Sequence, residues 1–426
     1  MCVRLIIIGA SPFRNAAMNL KIGFKTLPEL EKYTAPSFTA IKRWVQKVGY
    51  YKLTRPKAIA NNWMVIIDAS IQMGEQKCLL VLGCREADLP KNRALTLEDF
   101  EILALRVISK LNANLITQVL NEIASSIGTI ICVCSDRGSD VLRGIRDFQA
   151  ISSETRHISD TAHRVANFIR TALENDERWK KFRDQVTQAR RKMQNSLVAG
   201  ALPPSPRTKA RYMNVDSLIK WAADMLILLD NEGSTPEFNV GELRKYLDWL
   251  LDYRDDIDFW NRLVSIGATA RQLVRIEGVH MNIVDNFEQA LSSIAIGFRE
   301  LKFADQISAF LLGQSSGMEP GECFIGSTEV LESLFGKLKF MEREQTAFGF
   351  TSLVLAAIAC VGPTDEKTVE EAIKSINLSE IDEWTEKEIG RSVQSQRRTI
   401  SKIVKDLTSK MGQKSSGVIE GEAVGF

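Results

Sequence analysis

Two apolar runs of the sequence each end in an aspartate, and these carboxylates are the first candidates for chemistry. Asp68 closes the run at 62–68, and Asp136 closes the run at 129–136. A carboxylate is costly to bury alone, whereas the edge of an open α/β sheet is where ligands bind. The two acids are therefore candidates for one site at a sheet edge. Each also has a structural alternative, because Asp68 could cap a hairpin and Asp136 could be the turn residue before Gly138.

A predicted helix late in the sequence offers a third carboxylate. Ser327 is a suitable N-cap, and Glu329 and Glu332 are three residues apart, so both lie on one helix face. Glu332 could instead face solvent, and Glu329 could be a first-turn acid that interacts with the helix dipole. Asp160 and His163 form another close pair. In that pair, Asp160 could equally be the N-cap of the helix that carries His163.

The elements that would position these residues follow a definite order. Continuous apolar runs predict strands, and apolar residues at helical spacing predict helices. The predicted order is a hairpin of strands at 62–68 and 77–84, a strand at 100–108, a helix at 111–127, a strand at 129–136, a helix at 139–148, a strand at 155–160 and a helix through His163. This order is that of a ribonuclease H-like sheet, so the predicted fold class is α/β with a mixed (α+β) sheet.

Charge is unevenly distributed along the 426 residues, although the net charge is only +2. Residues 1–60 carry eleven Lys or Arg and two acids, a net of +9, and the remaining residues carry a net of −7. The balance argues against a histone-like or ribosomal protein, in which basic residues dominate. A basic segment is typical of a surface that binds nucleic acid, although a solvated basic surface is the common alternative.

The basic segment has the pattern of a helix-turn-helix. Ser11 and Pro12 suit a first helix start, and a second helix is predicted from Phe38 to Val48, with Gly49 ending it. Its predicted DNA-facing side chains are Lys42, Arg43, Gln46 and Lys47. Near the other end of the chain, Arg397 and Arg398 lie in a basic helical stretch that could follow a DNA backbone; a solvated helix is equally plausible.

These patterns divide the chain into five predicted segments. The first is a helix-turn-helix region at 1–58, which is shorter than a complete unit. A first part of the ribonuclease H-like core follows at 59–174, and an all-helical insertion at 175–320. The last two are a core helix at 321–365, which carries Glu329 and Glu332, and a basic helical region with a flexible tail at 366–426. The tryptophans of the insertion are more often core residues than DNA-stacking ones.

The seven cysteines include no C-x-x-C pair, which favours free buried thiols over a zinc site or disulfides. No run approaches the roughly 20 apolar residues that span a bilayer. We therefore expect a cytoplasmic protein that associates with the nucleoid and has no membrane partner.

Four stretches carry a resemblance to a known family. They are VIIDASIQMGEQKCLLVLGCR, ICVCSDRGSDVLRGI, HISDTAHRVANFIR and STEVLESLFGKLK. Together they resemble the DDE-type insertion-sequence transposases, which have a ribonuclease H-like catalytic core and, in several cases, an all-helical insertion before the glutamate.

The resemblance implies a specific site and reaction. Asp68, Asp136 and Glu332, with Glu329 as its rival, would be the catalytic triad and would hold two Mg²⁺ ions, for which Mn²⁺ could substitute. Asp160 and His163 would be accessory residues that position DNA or the scissile phosphate. Water would attack first at a transposon end, and the freed 3′-hydroxyl would then attack target DNA. A homodimer or higher oligomer on DNA is implied, because two ends must be joined.

Two other functions stay open at this point. The chain could be an inactive DNA-binding remnant of a transposase, which a shortened N-terminal region would favour. It could also be a ribonuclease H-like nuclease without strand transfer, although the helix-turn-helix and the long insertion argue against that.

Overall fold

A mixed five-stranded sheet lies at the centre of the computed structural model, which describes residues 1–29, 32–73, 76–204, 215–230, 240–294, 296–343, 350–390, 397, 399–401 and 403–404. The strands are β1 (Ala60–Met73), β2 (Gln76–Arg85), β3 (Glu101–Ile108), β4 (Gly128–Ser135) and β5 (Arg156–Ser159). Their order across the sheet is β3-β2-β1-β4-β5; β1 is antiparallel to β2 and parallel to β4, as β4 is to β5. This confirms the predicted mixed α/β sheet of a ribonuclease H-like core.

Helices surround this sheet and continue beyond it. The described helices are α1 (Cys2–Ile7), α2 (Phe13–Thr26), α3 (Phe38–Thr54), α4 (Ala113–Ile127), α5 (Ser139–Gln149), α6 (Thr161–Glu174), α7 (Glu177–Met193), α8 (Val215–Asp230), α9 (Val240–Leu247), α10 (Arg254–Glu277), α11 (Ile283–Leu291), α12 (Phe298–Ser315), α13 (Glu329–Arg343), α14 (Val354–Ile358), α15 (Glu366–Ser375) and α16 (Leu378–Glu388). Within the described residues, no helix is both long and apolar enough to cross a bilayer.

The two faces of the sheet belong to different cores because successive side chains of a strand point in opposite directions. Val65 and Ile67 pack with residues of α4 and α5, whereas Met64 and Ile66 belong to the larger core that includes α6 and α13. Asp68 continues the Met64–Ile66 face. Contrary to the sequence expectation, Asp68 lies within β1, opposite Leu80 of β2, because the strand runs on to Met73.

The predicted insertion is helical in its described part, apart from an isolated bridge between Val279 and Phe324. Its core contains a cluster of aromatic rings, in which the centroids of Trp179 and Trp260 are 4.8 Å apart. Phe182 packs against both of these tryptophans. The tryptophans thus act as core residues. The seven cysteines are free thiols, and five of them are buried.

The predicted recognition helix packs against the C-terminal part of the chain. α3 begins at Phe38 as expected, with Ser37 as its N-cap, but it continues through Gly49 to Thr54. The expectation that Gln46 faces DNA is wrong: it is 6% exposed and donates a 2.8 Å hydrogen bond to the Ser352 hydroxyl. The same expectation for Lys47 is also wrong, because its ammonium group donates a 3.0 Å hydrogen bond to the Ile373 carbonyl.

The other predicted DNA-binding residues have different environments. Lys42 is half-buried, and burial lowers the pKa of its ammonium group. Arg43 and Arg397 are exposed, and Arg398 lies outside the described residues. The periodicity that predicted α3 was correct, but its polar side chains at 46 and 47 bind protein partners that are distant in sequence.

Gly49 allows α3 to approach the protein backbone closely. A Cβ atom at this position would lie 1.8 Å from the Leu355 carbonyl oxygen of α14. By contrast, a Cβ at Gly23 in α2 would meet no atom within 4 Å. The close contact between α3 and α14 therefore depends on the missing side chain at 49.

We expect Gly49→Ala to lower the free energy of unfolding by about 1–3 kcal/mol or more, because α3 and α14 must separate to admit the methyl group. Gly23→Ala is the matched control and should raise it slightly, by at most about 1 kcal/mol, because alanine favours the helix. Urea unfolding followed by circular dichroism measures both. Equal effects of the two substitutions would contradict the close contact.

Candidate active site

The parallel pairing of β1 with β4 brings the two predicted aspartates side by side. Ile66 pairs with Cys134 and Ile67 with Ser135, so the next position of each strand holds Asp68 and Asp136. Asp136 lies just beyond β4, in the turn to α5, where its Oδ1 accepts a 3.1 Å hydrogen bond from the Gly138 amide. Asp136 is therefore a turn residue as well as a neighbour of Asp68.

The surroundings of Asp68 disfavour its negative charge. Its pKa is raised to about 6, chiefly by burial and then by the charge of Asp136. Glu332 acts in the same direction, whereas His163 lowers this pKa. The site thus gathers several carboxylates around a half-buried one, and a cation there would relieve their repulsion.

Asp160 connects the start of α6 to the start of α13. As the N-cap of α6, its Oδ1 accepts a 2.9 Å hydrogen bond from the His163 amide. Its Oδ2 accepts one from the Thr328 amide at 2.9 Å and another from the Thr328 hydroxyl. Asp160 is 1% exposed. The N-cap alternative for Asp160 is therefore what the structure shows, and its accessory role in DNA positioning stays a prediction.

His163 provides positive charge beside the carboxylates. Its Nδ1 lies 3.3 Å from Asp160 Oδ2, and its Nε2 lies 3.9 Å from Glu332 Oε1. The hydrogen bond to Asp160, followed by the charges of Asp160, Glu332 and Asp68, raises the pKa of His163 to about 9. At neutral pH its imidazole is therefore protonated, and with a side chain 43% exposed it is accessible to an anionic ligand.

The two candidate glutamates have different neighbours. Glu332 is adjacent to His163, and burial is the main cause that raises the pKa of its carboxyl group. Glu329 instead lies 3.5 Å from the Arg275 guanidinium of α10. The Ser327 hydroxyl accepts a 3.2 Å hydrogen bond from the Glu329 amide, as expected of a residue at the helix start. Of the two glutamates, Glu332 is the one whose charge acts on Asp68.

The carboxylates do not form a finished metal site as the side chains stand. Among the described residues, no group of three or more His, Cys, Asp or Glu side chains is arranged to hold a metal ion. The donor chemistry nevertheless suits Mg²⁺, which prefers carboxylate oxygens. Asp68, Asp136 and Glu332 would hold such an ion only after a side-chain rearrangement that brings their oxygens together.

Three residues of this region, Thr328, Ser135 and His157, were not predicted from the sequence. Thr328 donates hydrogen bonds to Asp160, and the only sequence feature that pointed to Thr328 is its position directly before Glu329. Ser135 and His157 form a 3.0 Å hydrogen bond next to Asp136. Burial, with help from nearby arginines, lowers the pKa of His157 to about 4, so this imidazole is neutral at pH 7. Their positions on neighbouring strands were predictable, but their contact was not.

Comparison with known proteins adds little. No protein-family model matches the chain, and no curated protein matches it. Among solved structures, the chain matches the Drosophila P element transposase strand transfer complex with 10% identity and a TM-score of 0.31, over 86% of this chain and 96% of that chain. A likeness this weak assigns no family.

We expect nuclear magnetic resonance titration to separate two of the three histidines widely. His163 should stay protonated until the pH approaches about 9, whereas His157 should stay neutral down to about pH 4. Asp160→Asn should move the pKa of His163 towards the ordinary value near 6.5. A wild-type His163 that titrates near 6.5 would contradict the charged triad of Asp160, His163 and Glu332.

The raised pKa of His163 also predicts a pH dependence of stability. Because the folded pKa lies above the unfolded one, the stabilisation is fully present below about pH 6.5 and is lost as the pH rises through about 9. Thermal melts of the wild type and of His163→Gln should therefore differ most below pH 6.5 and converge above pH 9. A constant difference across this range is the contrary result.

Proposed function

We propose that this chain is a metal-dependent DNA transposase whose catalytic residues are Asp68, Asp136 and Glu332. The supporting observation is the register of β1 and β4, which places Asp68 beside Asp136 on adjacent parallel strands. Glu332 is coupled to the same position through its own charge and through His163. The resemblance of the four sequence stretches to DDE transposases points to the same three residues.

In this proposal the three carboxylates would hold Mg²⁺, or Mn²⁺ in its place, once their side chains have rearranged. When bound, the metal supplies activation of the attacking oxygen and stabilisation of the leaving oxygen at a phosphodiester. Asp68 suits this role because its carboxylate, with a pKa of about 6, is unfavourably placed without a neighbouring cation. Asp136 is pre-positioned by its hydrogen bond to the Gly138 amide.

His163 would orient the DNA rather than transfer a proton. With a pKa of about 9, the imidazole is charged and attracts a phosphate oxygen, and its ring is held by Asp160. Asp160 in turn binds Thr328, so the charged imidazole of His163 and the helix α13, which carries Glu332, keep a constant spacing. The proposed partners are the transposon ends and the target DNA, joined on an oligomer of the chain.

The proposed reaction has two steps on DNA. The first hydrolyses the phosphodiester at the end of the element and releases a 3′-hydroxyl. In the second, that hydroxyl attacks a phosphodiester of the target strand, forms a new bond to its phosphorus and releases the 3′-hydroxyl of the broken target strand. No protein side chain forms a covalent bond to DNA in either step. The three carboxylates therefore need to bind cations, and none of them needs to act as a nucleophile.

The activity test uses a supercoiled plasmid that carries the genomic DNA flanking the coding sequence. We expect cleavage that depends on MgCl₂ or MnCl₂ and falls at least about 100-fold in Asp68→Asn, Asp136→Asn and Glu332→Gln. Glu329→Gln is the matched control, because Glu329 is paired with Arg275, and its cleavage should stay within a few-fold of the wild type. Undiminished cleavage by Asp136→Asn would refute the site.

A second readout separates metal binding from catalysis. In thermal melts, MnCl₂ should raise the melting temperature of the wild type and should raise that of Asp68→Asn much less, since a ligand that binds the folded state stabilises it. Cleaved DNA without joined products would indicate a nuclease without strand transfer. Bound DNA with no cleavage and no Mn²⁺ effect would indicate an inactive remnant.

A further inference from the structure

A groove of about 910 Å³ lies on the surface formed by α2 and the segment that leads into α3. Its cations are Arg14, Lys21 and Lys25, all exposed on α2. Aromatic rings from the segment at 33–38 form the opposite side. The proposed catalytic residues are not part of this groove, and its lining includes none of the four α3 side chains that were predicted to face DNA.

The aromatic rings of the groove are unusually accessible. Tyr33 is 57% exposed and Phe38 is 43% exposed. Each ring has a cation close to it: the Arg14 guanidinium lies 5.3 Å from the centroid of Phe38, and the Lys32 ammonium lies 5.2 Å from that of Tyr33. Flat rings beside cations are suited to a ligand that has both π faces and negative charges.

The charge of the groove is one-sided. The described residues that line it include three cations and no acid, and α2 itself contains no acid. Among the described residues, no acid forms an ion pair with Arg14, Lys21 or Lys25. Their charges are therefore not neutralised by an ion pair in the described part of the fold, and a polyanion would complement them.

We propose that this groove binds single-stranded DNA, with phosphates against Arg14, Lys21 and Lys25 and bases stacked on Tyr33 and Phe38. A duplex keeps its bases paired and hidden, so it would leave both rings uncovered, whereas an unpaired strand can stack on them. The identification of the strand as DNA rests on the proposed function. The basic N-terminal segment thus contacts DNA through α2 and the segment at 32–38, and Gln46 and Lys47 of α3 take no part.

The test measures binding of the full chain to a fluorescein-labelled strand of twenty thymidines, by anisotropy and without added divalent metal. Tyr33→Ala with Phe38→Ala should weaken binding at least about 10-fold. Arg14→Gln with Lys21→Gln and Lys25→Gln should reduce the slope of log K against log salt by about 2. The matched control, Lys91→Gln with Lys110→Gln and Lys302→Gln, removes three exposed lysines elsewhere and should change neither quantity.

Each contrary outcome is distinct. Wild-type affinity in the aromatic variant would overturn the stacking role, and an unchanged salt slope in the cation variant would overturn the groove as the site. Equal affinity for a twenty-base-pair duplex, unaffected by the aromatic variant, would favour a duplex-binding surface instead. Self-association that Tyr33→Ala with Phe38→Ala abolishes, without strand binding, would make the groove a contact between copies of the chain.

The same assay separates this inference from the proposed function. If no variant or wild-type chain cleaves DNA but the groove variants lose strand binding, the proposed catalysis fails and the groove assignment holds. If cleavage follows the carboxylates but strand binding ignores the groove, the reverse is true.

Discussion

The buried carboxylate of Asp160 is the interaction on which the candidate site depends. It lies at the end of β5, caps α6 through the His163 amide, and receives two hydrogen bonds from Thr328. A buried carboxylate without partners would be costly, and these four donors, including the His163 ring, make its charge favourable, which keeps its pKa low despite burial. One side chain therefore fixes where the sheet ends, where α6 begins and where α13 begins.

This arrangement explains why residues so distant in sequence meet. Asp68 and Asp136 are adjacent because the hydrogen bonds of β1 and β4 set their register, whereas the Asp160–Thr328 contact positions the start of the helix that carries Glu332. The positive charge of His163 lies between Asp160 and Glu332 and offsets part of the repulsion among the acids. Backbone pairing of β1 with β4 therefore positions the two aspartates, and the Asp160–Thr328 contact positions the helix of Glu332.

Much of the sheet could be predicted from the sequence, because its strands are long apolar runs and its helices have clear periods. The order of the elements along the chain, including the strand after α5, follows from local patterns, whereas the cap at Asp160 was one of two alternatives that those patterns left open. Glu332 could be preferred to Glu329 only through the resemblance, since the difference depends on Arg275, far away along the chain. Gln46 and Lys47 show the opposite failure: a polar residue on a helix can face solvent or a distant partner, and spacing alone does not distinguish them.

The packing of α3 has a consequence for how the chain folds as it is made. The partners of Gln46 and Lys47 are 306 and 326 residues later in the sequence. At a synthesis rate of roughly 5–20 residues per second, they emerge about 15–65 s after α3 itself. During that interval the apolar stripe of Ile41, Val45 and Val48, which is fully buried in the finished protein, lacks its later partners from α14. The nascent chain therefore carries an incompletely covered apolar helix until α14 has been synthesised.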